Sequence, residues 1–346
     1  MLEITNKNFK IYLQGSIFLA TGGGLPFSVS QKIFKFIFSR KKSIKILDLD
    51  EISPNGYLAS VYGVGDPSKA DSVKESALVK TALKKFKKLT GINIAGVIPG
   101  EIGAEVSSFL AASFLNLPVV DSDLVGGRAA PEIQMDVFSI AGLKITPVMG
   151  FSSNSKSILL EKNISANEIE KTLRPFFGKN GGSGIIIGYL VKNSVYGKFG
   201  MRDTLSLALK IGNILEKKDI AELKRITKCK KIIKEKIIRT NLKSSSGFLQ
   251  GKVIFENHEI LVKNENILLI RKNKKIAEAP ELIIIMDENL KPIHNTEIGE
   301  KVGKKVLIVV LPAMGYWKSR KGSQLWEATV KNLANRAIYN KLTVLR

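Results

Sequence analysis

Residues 91–143 constrain the fold more than any other part of this sequence. They contain no lysine, one arginine and six carboxylates, although the whole chain carries a net charge of +23. Lysine is a residue of solvated surfaces, so a lysine-free stretch of this length predicts a buried segment. Buried carboxylates need partners and are typical of active sites. The alternative is a well-packed helix and strand with acids at their exposed ends.

The pattern within this segment predicts a strand, a helix and a second strand. The apolar run 93–98 is followed by an Ala-, Ser- and Phe-rich stretch at 104–116 and by the apolar run 118–120. Two strands joined by a helix are expected to be parallel, with a right-handed crossover. Glu101 and Asp121 would then lie at the same edge of the sheet, where open α/β sheets bind ligands.

Further charged side chains follow this edge. Asp123 lies two residues after Asp121, and Glu132 closes a loop that also contains Arg128, the only arginine of the segment. A guanidinium group can brace a carboxylate or hold a carbonyl group or an anion through two nitrogens. A purely structural Arg–Asp pair is the alternative for Arg128.

Glycine-rich stretches are candidates for ligand-binding loops. The run Thr21-Gly22-Gly23-Gly24 separates two predicted helices, and its amides could face an anion or a polar ring. It lacks the spacing of a dinucleotide fingerprint, and a plain helix–helix turn fits it equally well. A second loop contains Gly65 and precedes a lysine-rich helix in which Glu75 either serves the site or pairs with a lysine on a wet face.

The order of elements predicts an α/β fold. We expect an N-terminal α/β domain over residues 1–165, with a largely parallel sheet and the active site. A C-terminal α+β domain would follow over residues 166–346 and be β-rich from about residue 245. The lysine-dense run from Ala221 to Ile238 is predicted to be a solvated outer helix.

Composition narrows the classes of function. The lone cysteine, Cys229, has no partner for a disulfide and favours a reducing cytoplasm. No apolar run reaches the roughly 18 residues of a membrane span. The positive charge could indicate RNA binding, but the lysines are dispersed and no nucleic-acid-binding motif accompanies them. Neither His258 nor His294 has a metal-ligand spacing.

Six short sequence runs occur in this chain in the same order as in a known protein family. They are Thr21 to Gly24; Gly65-Asp66-Pro67 with Glu75 downstream; Glu101-Ile102-Gly103; Pro118 to Asp123; Gly127 to Met135; and Thr204-Leu205-Ser206 with Gly212. The chain resembles the S-methyl-thiohydantoin desulfurase family, which is associated with hydantoin-utilising enzymes. Two departures lie near the expected site. The loop between Asp123 and Arg128 is one residue longer than the family pattern, and Ala104-Glu105 replaces a glycine and a small or polar residue.

The resemblance implies hydrolysis of an S-methylated thiohydantoin, or a related five-membered cyclic thio-compound, at the carbon that bears sulfur. The acid and base are expected among Glu101, Asp121, Asp123 and Glu132, with Arg128 orienting the ring carbonyl or an anionic side chain. The substrate is expected to contact Thr21, Gly22, Gly23, Gly24, Gly65, Glu75 and Gly103.

The carboxylates of the expected site also suggest a possible cofactor. Carboxylates could hold a divalent metal, since Mg, Mn or Co accept oxygen ligands. We expect a cytoplasmic homo-oligomer, with hydantoinase-like proteins as partners and without a membrane or nucleic acid. The alternatives are a non-catalytic subunit of a hydantoinase-like complex and an RNA-binding protein.

Overall fold

The computed structural model of the chain describes residues 2–162 and 164–343. The first part contains ten strands: β1 (Leu2–Thr5), β2 (Ser43–Leu47), β3 (Tyr57–Gly65), β4 (Gly96–Ile98), β5 (Val119–Val120), β6 (Ser122–Asp123), β7 (Val148–Ser152), β8 (Ser157–Leu160), β9 (Ser183–Lys192) and β10 (Met201–Arg202). Eight of them form one sheet in the order β1-β2-β5-β4-β3-β9-β7-β8, and β6 pairs with β10.

The centre of this sheet is parallel. Strands β2, β5, β4 and β3 run in the same direction, whereas β1 and the β9-β7-β8 group are attached antiparallel. The pairing of Val97 in β4 with Val119 in β5 confirms the predicted parallel strand–helix–strand unit. The carboxyl ends of β3, β4 and β5 therefore meet at one edge.

Helices cover both faces of the sheet. They are α1 (Phe9–Leu19), α2 (Phe27–Phe38), α3 (Ser72–Thr90), α4 (Val106–Leu115), α5 (Val137–Ala141), α6 (Ala166–Lys179), α7 (Asn193–Tyr196), α8 (Thr204–Glu216) and α9 (Ile220–Thr227). Side chains of β9 alternate between the two faces, as expected for a strand buried on both sides. Ile185 and Ile187 pack in the cluster that contains Phe34 of α2, while Ile186 packs with Leu173 of α6.

The second part is a curled antiparallel sheet. Its strands are β11 (Lys231–Thr240), β12 (Lys243–Ser245), β13 (Phe248–Phe255), β14 (Glu259–Lys263), β15 (Glu265–Arg271), β16 (Lys274–Glu278), β17 (Leu282–Asp287) and β18 (Lys305–Leu311), followed by helix α10 (Arg320–Thr343). The order is β16-β15-β14-β13-β11-β18-β17, with β12 beside β13. Ile284 and Val309 share a buried cluster with Leu205 of α8, so apolar packing joins the two parts. The predicted α/β fold class is confirmed.

The predicted helix from Ala221 to Ile238 is wrong in its second half. Helix α9 ends at Thr227, Lys228 takes a left-handed conformation, and residues 231–240 form β11 in the middle of the second sheet. β-branched isoleucines favour a strand, and Ile237 is fully buried there. Lysines on the solvated face of the strand gave the sequence the appearance of a polar helix.

Among the described residues, no helix combines the length and the apolar character needed to cross a lipid bilayer.

Candidate active site

A cavity of about 140 Å³ lies at the carboxyl edge of the parallel strands. Gly65 at the end of β3, Glu101 after β4 and Glu132 after β6 contribute to its walls, and Glu265 of β15 enters from the second part of the chain. A cavity of ~150 Å³ in another protein holds a benzene ring, so this one has the size of a single small ring.

Glu101 places its carboxyl group in the cavity wall. Its Oε2 atom accepts a hydrogen bond from the backbone amide of Ala130 at 2.9 Å. Burial raises the pKa of Glu101 to about 8, with a further upward contribution from the charge of Asp123. At neutral pH this carboxyl group is therefore mostly protonated, as a proton donor must be.

Glu265 is a second buried carboxyl group in the same cavity. It is 1 % exposed, and its Oε2 atom has no hydrogen-bond partner among the described residues. Burial and then the charge of Glu101 raise the pKa of Glu265 well above its usual value. Gly23 leaves room for this side chain, because a Cβ atom there would lie 2.1 Å from Glu265 Oε1. Two such interacting acids resist simultaneous ionisation and titrate as a pair.

Arg128 is fully buried beside this pair. Its Nε donates to the carbonyl oxygen of Ala129 at 3.0 Å, and Nη1 donates to that of Pro280 at 2.5 Å. The guanidinium carbon lies 4.1 Å from the ring centre of Trp326. Burial lowers the pKa of Arg128 to about 10, against the opposing charges of Glu265 and Glu101, so it remains positive at neutral pH. Arg128 itself does not line the cavity.

Asp121 and Asp123 do not line the cavity. Their carboxylates accept hydrogen bonds from backbone amides of nearby segments. Asp121 Oδ1 accepts hydrogen bonds from the amides of Leu205 at 2.9 Å and Ser206 at 3.0 Å, and thereby caps α8. The two carboxylate oxygens of Asp123 accept from the amides of Gly126 and Gly127, both at 2.6 Å. These bonds shape the loop that leads to Arg128.

Glu132 lines the cavity but is already engaged. It forms an ion pair with Lys263, and Thr329 Oγ1 and Gln134 Nε2 donate to its carboxylate, each at 2.7 Å. These three partners already occupy the Glu132 carboxylate, so it contributes to the cavity wall as an engaged, structural group.

The glycine triplet connects the two parts of the chain. The carbonyl oxygen of Thr21 accepts a hydrogen bond from the amide of Asn266 at 2.8 Å, and that of Gly22 accepts from the amide of Asn295 at 2.9 Å. Neither Thr21, Gly22 nor Gly23 lines the cavity. This stretch therefore anchors the first part to the β-rich part.

Gly24 and Gly103 lie against each other at the cavity. Gly24 lines it, Gly103 does not, and the carbonyl oxygen of Gly103 accepts a hydrogen bond from the amide of Leu25 at 2.8 Å. His294 is 3.2 Å from the carbonyl oxygen of Gly24 through Nε2. Burial lowers the pKa of His294 to about 4, so its imidazole is neutral at pH 7.

Gly65, Asp66 and Glu75 all line the cavity where α3 begins. Glu75 accepts a hydrogen bond from Ser107 Oγ at 2.6 Å, and burial raises its pKa, so its partner is a serine rather than a lysine. Asp66 is 4 % exposed, and its Oδ2 atom has no partner among the described residues. A ligand N–H group could satisfy that oxygen.

Family models match both parts of the chain. A model described as the S-Me-THD-like N-terminal domain matches residues 8–162, and one described as the S-Me-THD-like C-terminal domain matches residues 164–329. The chain belongs to the S-Me-THD-like family. This confirms the resemblance drawn from the six runs.

A solved structure shares the fold of this S-Me-THD-like protein. The crystal structure of a protein from Chromobacterium violaceum matches with a TM-score of 0.80 at 21 % sequence identity, and the match covers 96 % of this chain and 97 % of that one. Identity at this level supports the fold alone. The comparison with curated proteins found no match.

Among the residues that the structure describes, one group of three carboxylates has the spacing of a metal site. It consists of Asp48, Asp121 and Asp203, and one carboxylate oxygen of each lies within 4.8 Å of the others. None of the three lines the cavity. Asp121 already accepts two backbone hydrogen bonds, and Asp48 and Asp203 are exposed. The candidate ligands therefore lie apart from the candidate acid.

Five residues in the cavity wall are not among the predicted site residues. Tyr62, Asp66, Asp136, Tyr189 and Glu265 all line the cavity and were not predicted to serve it. Asp136 belonged to the acidic segment, and Asp66 to one of the six runs, so a signal existed for both. Tyr189 lies in an apolar strand and Glu265 in a polar hairpin, where nothing in the sequence distinguishes them from structural residues.

Proposed function

We propose that this protein is a hydrolase that removes sulfur from an S-methylated thiohydantoin or a related five-membered cyclic thio-compound. The observation that carries the proposal is the buried carboxyl group of Glu101 in the wall of a ring-sized cavity of an S-Me-THD-like protein. A departing thiolate needs a proton, and a buried acid that is still protonated near pH 7 can supply it.

The cavity offers groups that match such a ring. Asp66 Oδ2 and Glu265 Oε2 are buried oxygens without partners among the described residues, and both residues line the cavity. A ring N–H would satisfy one of them, whereas a purely apolar ligand would leave both unpaired at a cost of roughly 1–3 kcal/mol each. A polar heterocycle is therefore favoured over a hydrocarbon ring.

The reaction balances with one acid and one base. The oxygen of water forms a bond to the ring carbon, and one water proton passes to the base. The carbon–sulfur bond then breaks, its electron pair stays with sulfur, and Glu101 protonates the leaving group, which departs as methanethiol. The electron pair of the ring carbon–nitrogen double bond moves to the nitrogen during the attack, and the second water proton passes from the new hydroxyl group to that nitrogen. The oxygen therefore remains as a carbonyl group, and the product is a hydantoin.

The other predicted groups take supporting roles in this proposal. Arg128 holds a positive charge beside Glu101 and Glu265 and limits the rise of their pKa values. Asp121 and Asp123 fix α8 and the loop before Arg128 through their backbone hydrogen bonds. The steps above use carboxyl groups alone, and the group of three described carboxylates with ligand spacing, Asp48, Asp121 and Asp203, lies outside the cavity.

Methanethiol release from S-methyl thiohydantoin tests the proposal. We expect the purified protein to release the thiol catalytically, and Glu101→Gln to lower kcat by about 10²–10⁴-fold. Glu161→Gln, at an exposed position outside the cavity, is the matched control and should retain full activity. Metal analysis before and after treatment with a chelator shows whether an ion contributes.

A second measurement separates this function from a scaffold role. Crystals soaked with a thiohydantoin should show the ring between the 99–103 loop and the 121–132 loop. A wild-type protein that neither binds the ring there nor releases thiol would rule out the desulfurase proposal and favour a non-catalytic subunit.

A further inference from the structure

Three side chains form a polar path from the cavity into the core. The hydroxyl group of Tyr62 lies 3.5 Å from that of Tyr189, and Tyr189 donates a hydrogen bond to Asp136 Oδ2 at 3.2 Å. All three residues line the cavity. Tyr62 is half-buried, whereas Tyr189 and Asp136 are 1 % and 2 % exposed, so Tyr62 is the end of the path that a ligand would meet.

The backbone at Tyr189 is held in a conformation that an aromatic residue rarely adopts. Its φ angle is +57°, and the pairing of β9 with β3 is irregular between Leu58 and Ser60. The amide of Tyr189 donates instead to the carbonyl oxygen of Ile145 at 3.2 Å. Such a conformation costs about 1–3 kcal/mol and is found most often where a site requires a particular side-chain direction. Here the bulge accompanies the contact of the phenol with Asp136.

The Asp136 carboxylate is the proton acceptor at the inner end of this path. The amide of Ser139 donates to its Oδ1 at 2.8 Å, and Ser139 Oγ donates to Oδ2 at 3.3 Å. Burial raises the pKa of Asp136 to about 6, and hydrogen bonds from Ser139 and Tyr189 oppose the rise. The carboxylate is thus mostly ionised at pH 7, while Glu101 across the same cavity is mostly protonated. Two acids with separated pKa values are the usual arrangement for a base and an acid.

We propose that Tyr62, Tyr189 and Asp136 form a proton relay that activates the attacking water. This inference rests on the proposed hydrolysis and supplies its base. As the water oxygen bonds to the ring carbon, a water proton passes to the hydroxyl oxygen of Tyr62. The proton of Tyr62 moves to Tyr189, and that of Tyr189 moves to Asp136. Glu101 protonates the departing methanethiolate. After product release Asp136 loses its proton to solvent and Glu101 regains one from solvent, so that both groups return to their starting states.

The three transfers occur together rather than through a free phenolate. Burial raises the pKa of both tyrosines above the usual value, and the negative charge of Asp136 raises them further. A separate phenolate would therefore be costly, whereas a concerted shift leaves each phenol neutral. The arrangement agrees with the path, because Tyr62 is directed toward the Tyr189 hydroxyl group and Tyr189 lies closer to Asp136 Oδ2, at 3.2 Å, than to its other acceptor, the carbonyl oxygen of Ile133, at 3.4 Å.

Tyr196 provides a matched control. It is a fully buried tyrosine in the same apolar cluster as Tyr189, and its hydroxyl group lies 2.8 Å from Ser122 Oγ and 3.1 Å from the carbonyl oxygen of Asp123. It does not line the cavity. Tyr196→Phe therefore removes a comparable buried hydroxyl group without touching the relay.

The test compares water with a nucleophile that needs no base. Hydroxylamine attacks as a neutral amine, and its reaction also releases methanethiol. We expect Tyr189→Phe and Tyr62→Phe to lower hydrolysis by about 10²–10⁴-fold and to leave methanethiol release by saturating hydroxylamine within about threefold of wild type. We expect Asp136→Asn to lose hydrolysis and keep the hydroxylamine reaction in the same way. Tyr196→Phe should retain both reactions.

Each outcome decides between the relay and its rivals. Equal losses with water and hydroxylamine would assign the two tyrosines a structural role and overturn the relay, as would unchanged hydrolysis in both Phe variants. The Phe variants remove only one hydroxyl group each, so the test stands even where Asp136→Asn fails to fold. A wild-type protein inactive on S-methyl thiohydantoin with either nucleophile would overturn the proposed function, and with it the relay.

Discussion

Glu101 Oε2 accepts a hydrogen bond from the backbone amide of Ala130 at 2.9 Å, and this bond joins the loop that follows β4 to the loop that follows β6. The loop after β4 carries the candidate acid, and the loop after β6 carries Arg128 and Glu132. The acid is therefore positioned by a main-chain group, which no side-chain substitution removes. This arrangement permits isosteric replacement at Glu101 without rearranging the loops.

Glu101→Gln should change how stability depends on pH. The pKa of Glu101 is raised from 4.5 to about 8 in the folded protein, so its contribution to stability is full below pH 4.5 and is lost as pH rises through 8. Relative to wild type, the variant should gain stability between pH 5 and pH 8, with a slope of up to about 1.4 kcal/mol per pH unit, and keep a constant advantage at higher pH. Urea unfolding at pH 5, 7 and 9 measures this difference, and parallel curves for the two proteins would contradict the buried, protonated acid. Glu161→Gln should follow wild type throughout.

The pH dependence of kcat/KM should be bell-shaped. Asp136 must be ionised to accept a proton, so activity should fall below about pH 6, where burial places its pKa. The Glu101–Glu265 pair must hold a proton, so activity should fall above about pH 8. Rates measured from pH 4.5 to 9.5 with buffers of constant ionic strength test both limbs. Asp136→Asn should lose the acidic limb together with most activity, whereas a monotonic profile in wild type would contradict the two roles.

The edge of the sheet was predictable because the signals are local. Alternating and continuous apolar runs, joined by a helix of known length, predict the parallel unit and bring the loop at Gly65 and the loop at Glu101 together. Asp121 also lies at a strand end, as predicted, but its carboxylate caps α8 at Leu205. The strand end determines the position of Asp121 in the fold. The hydrogen-bond partner of its side chain, the amide of Leu205, lies more than eighty positions away in the sequence and could not be predicted from the strand pattern.

The remaining cavity residues depend on long-range packing. Glu265 reaches the cavity only because the β-rich part folds back onto the glycine triplet, and Gly23 leaves the space that it fills. Tyr189 is an ordinary β-forming residue in the sequence, and its unusual φ angle appears only with the bulge in β9. Residue type and spacing indicate neither the position of Glu265 in the cavity nor the backbone conformation of Tyr189, so neither could be inferred from one sequence.

Arg128→Met should weaken the fold and shift the alkaline limb of activity upward. The change removes hydrogen bonds to the carbonyl oxygens of Ala129 and Pro280, and we expect a loss of roughly 2–4 kcal/mol in the free energy of unfolding. The guanidinium charge lowers the pKa of Glu101, so its removal should raise that pKa. Denaturant titration and pH–rate profiles provide the two readouts. Arg40→Met is the control, because Arg40 is exposed and only stacks on Phe36 at 4.6 Å. An unchanged alkaline limb would show that Arg128 does not act on the acid pair.

Gly24→Ala should damage the cavity, although it adds only one methyl group. Gly24 has a φ angle of +76°, and a Cβ atom there would lie 2.5 Å from the backbone carbonyl group of Gly103. Backbone cannot move aside as a flexible side chain can, so we expect more than about 2 kcal/mol of destabilisation and a loss of ring binding. Gly178→Ala is the matched control, because that glycine lies in α6 with nothing within 4 Å of its Cβ position. There alanine should stabilise the helix by about 0.5–1 kcal/mol. Thermal unfolding and calorimetric titration with a thiohydantoin measure both effects, and a Gly24→Ala protein that matches Gly178→Ala would show that the close approach of Gly24 to Gly103 does not support the site.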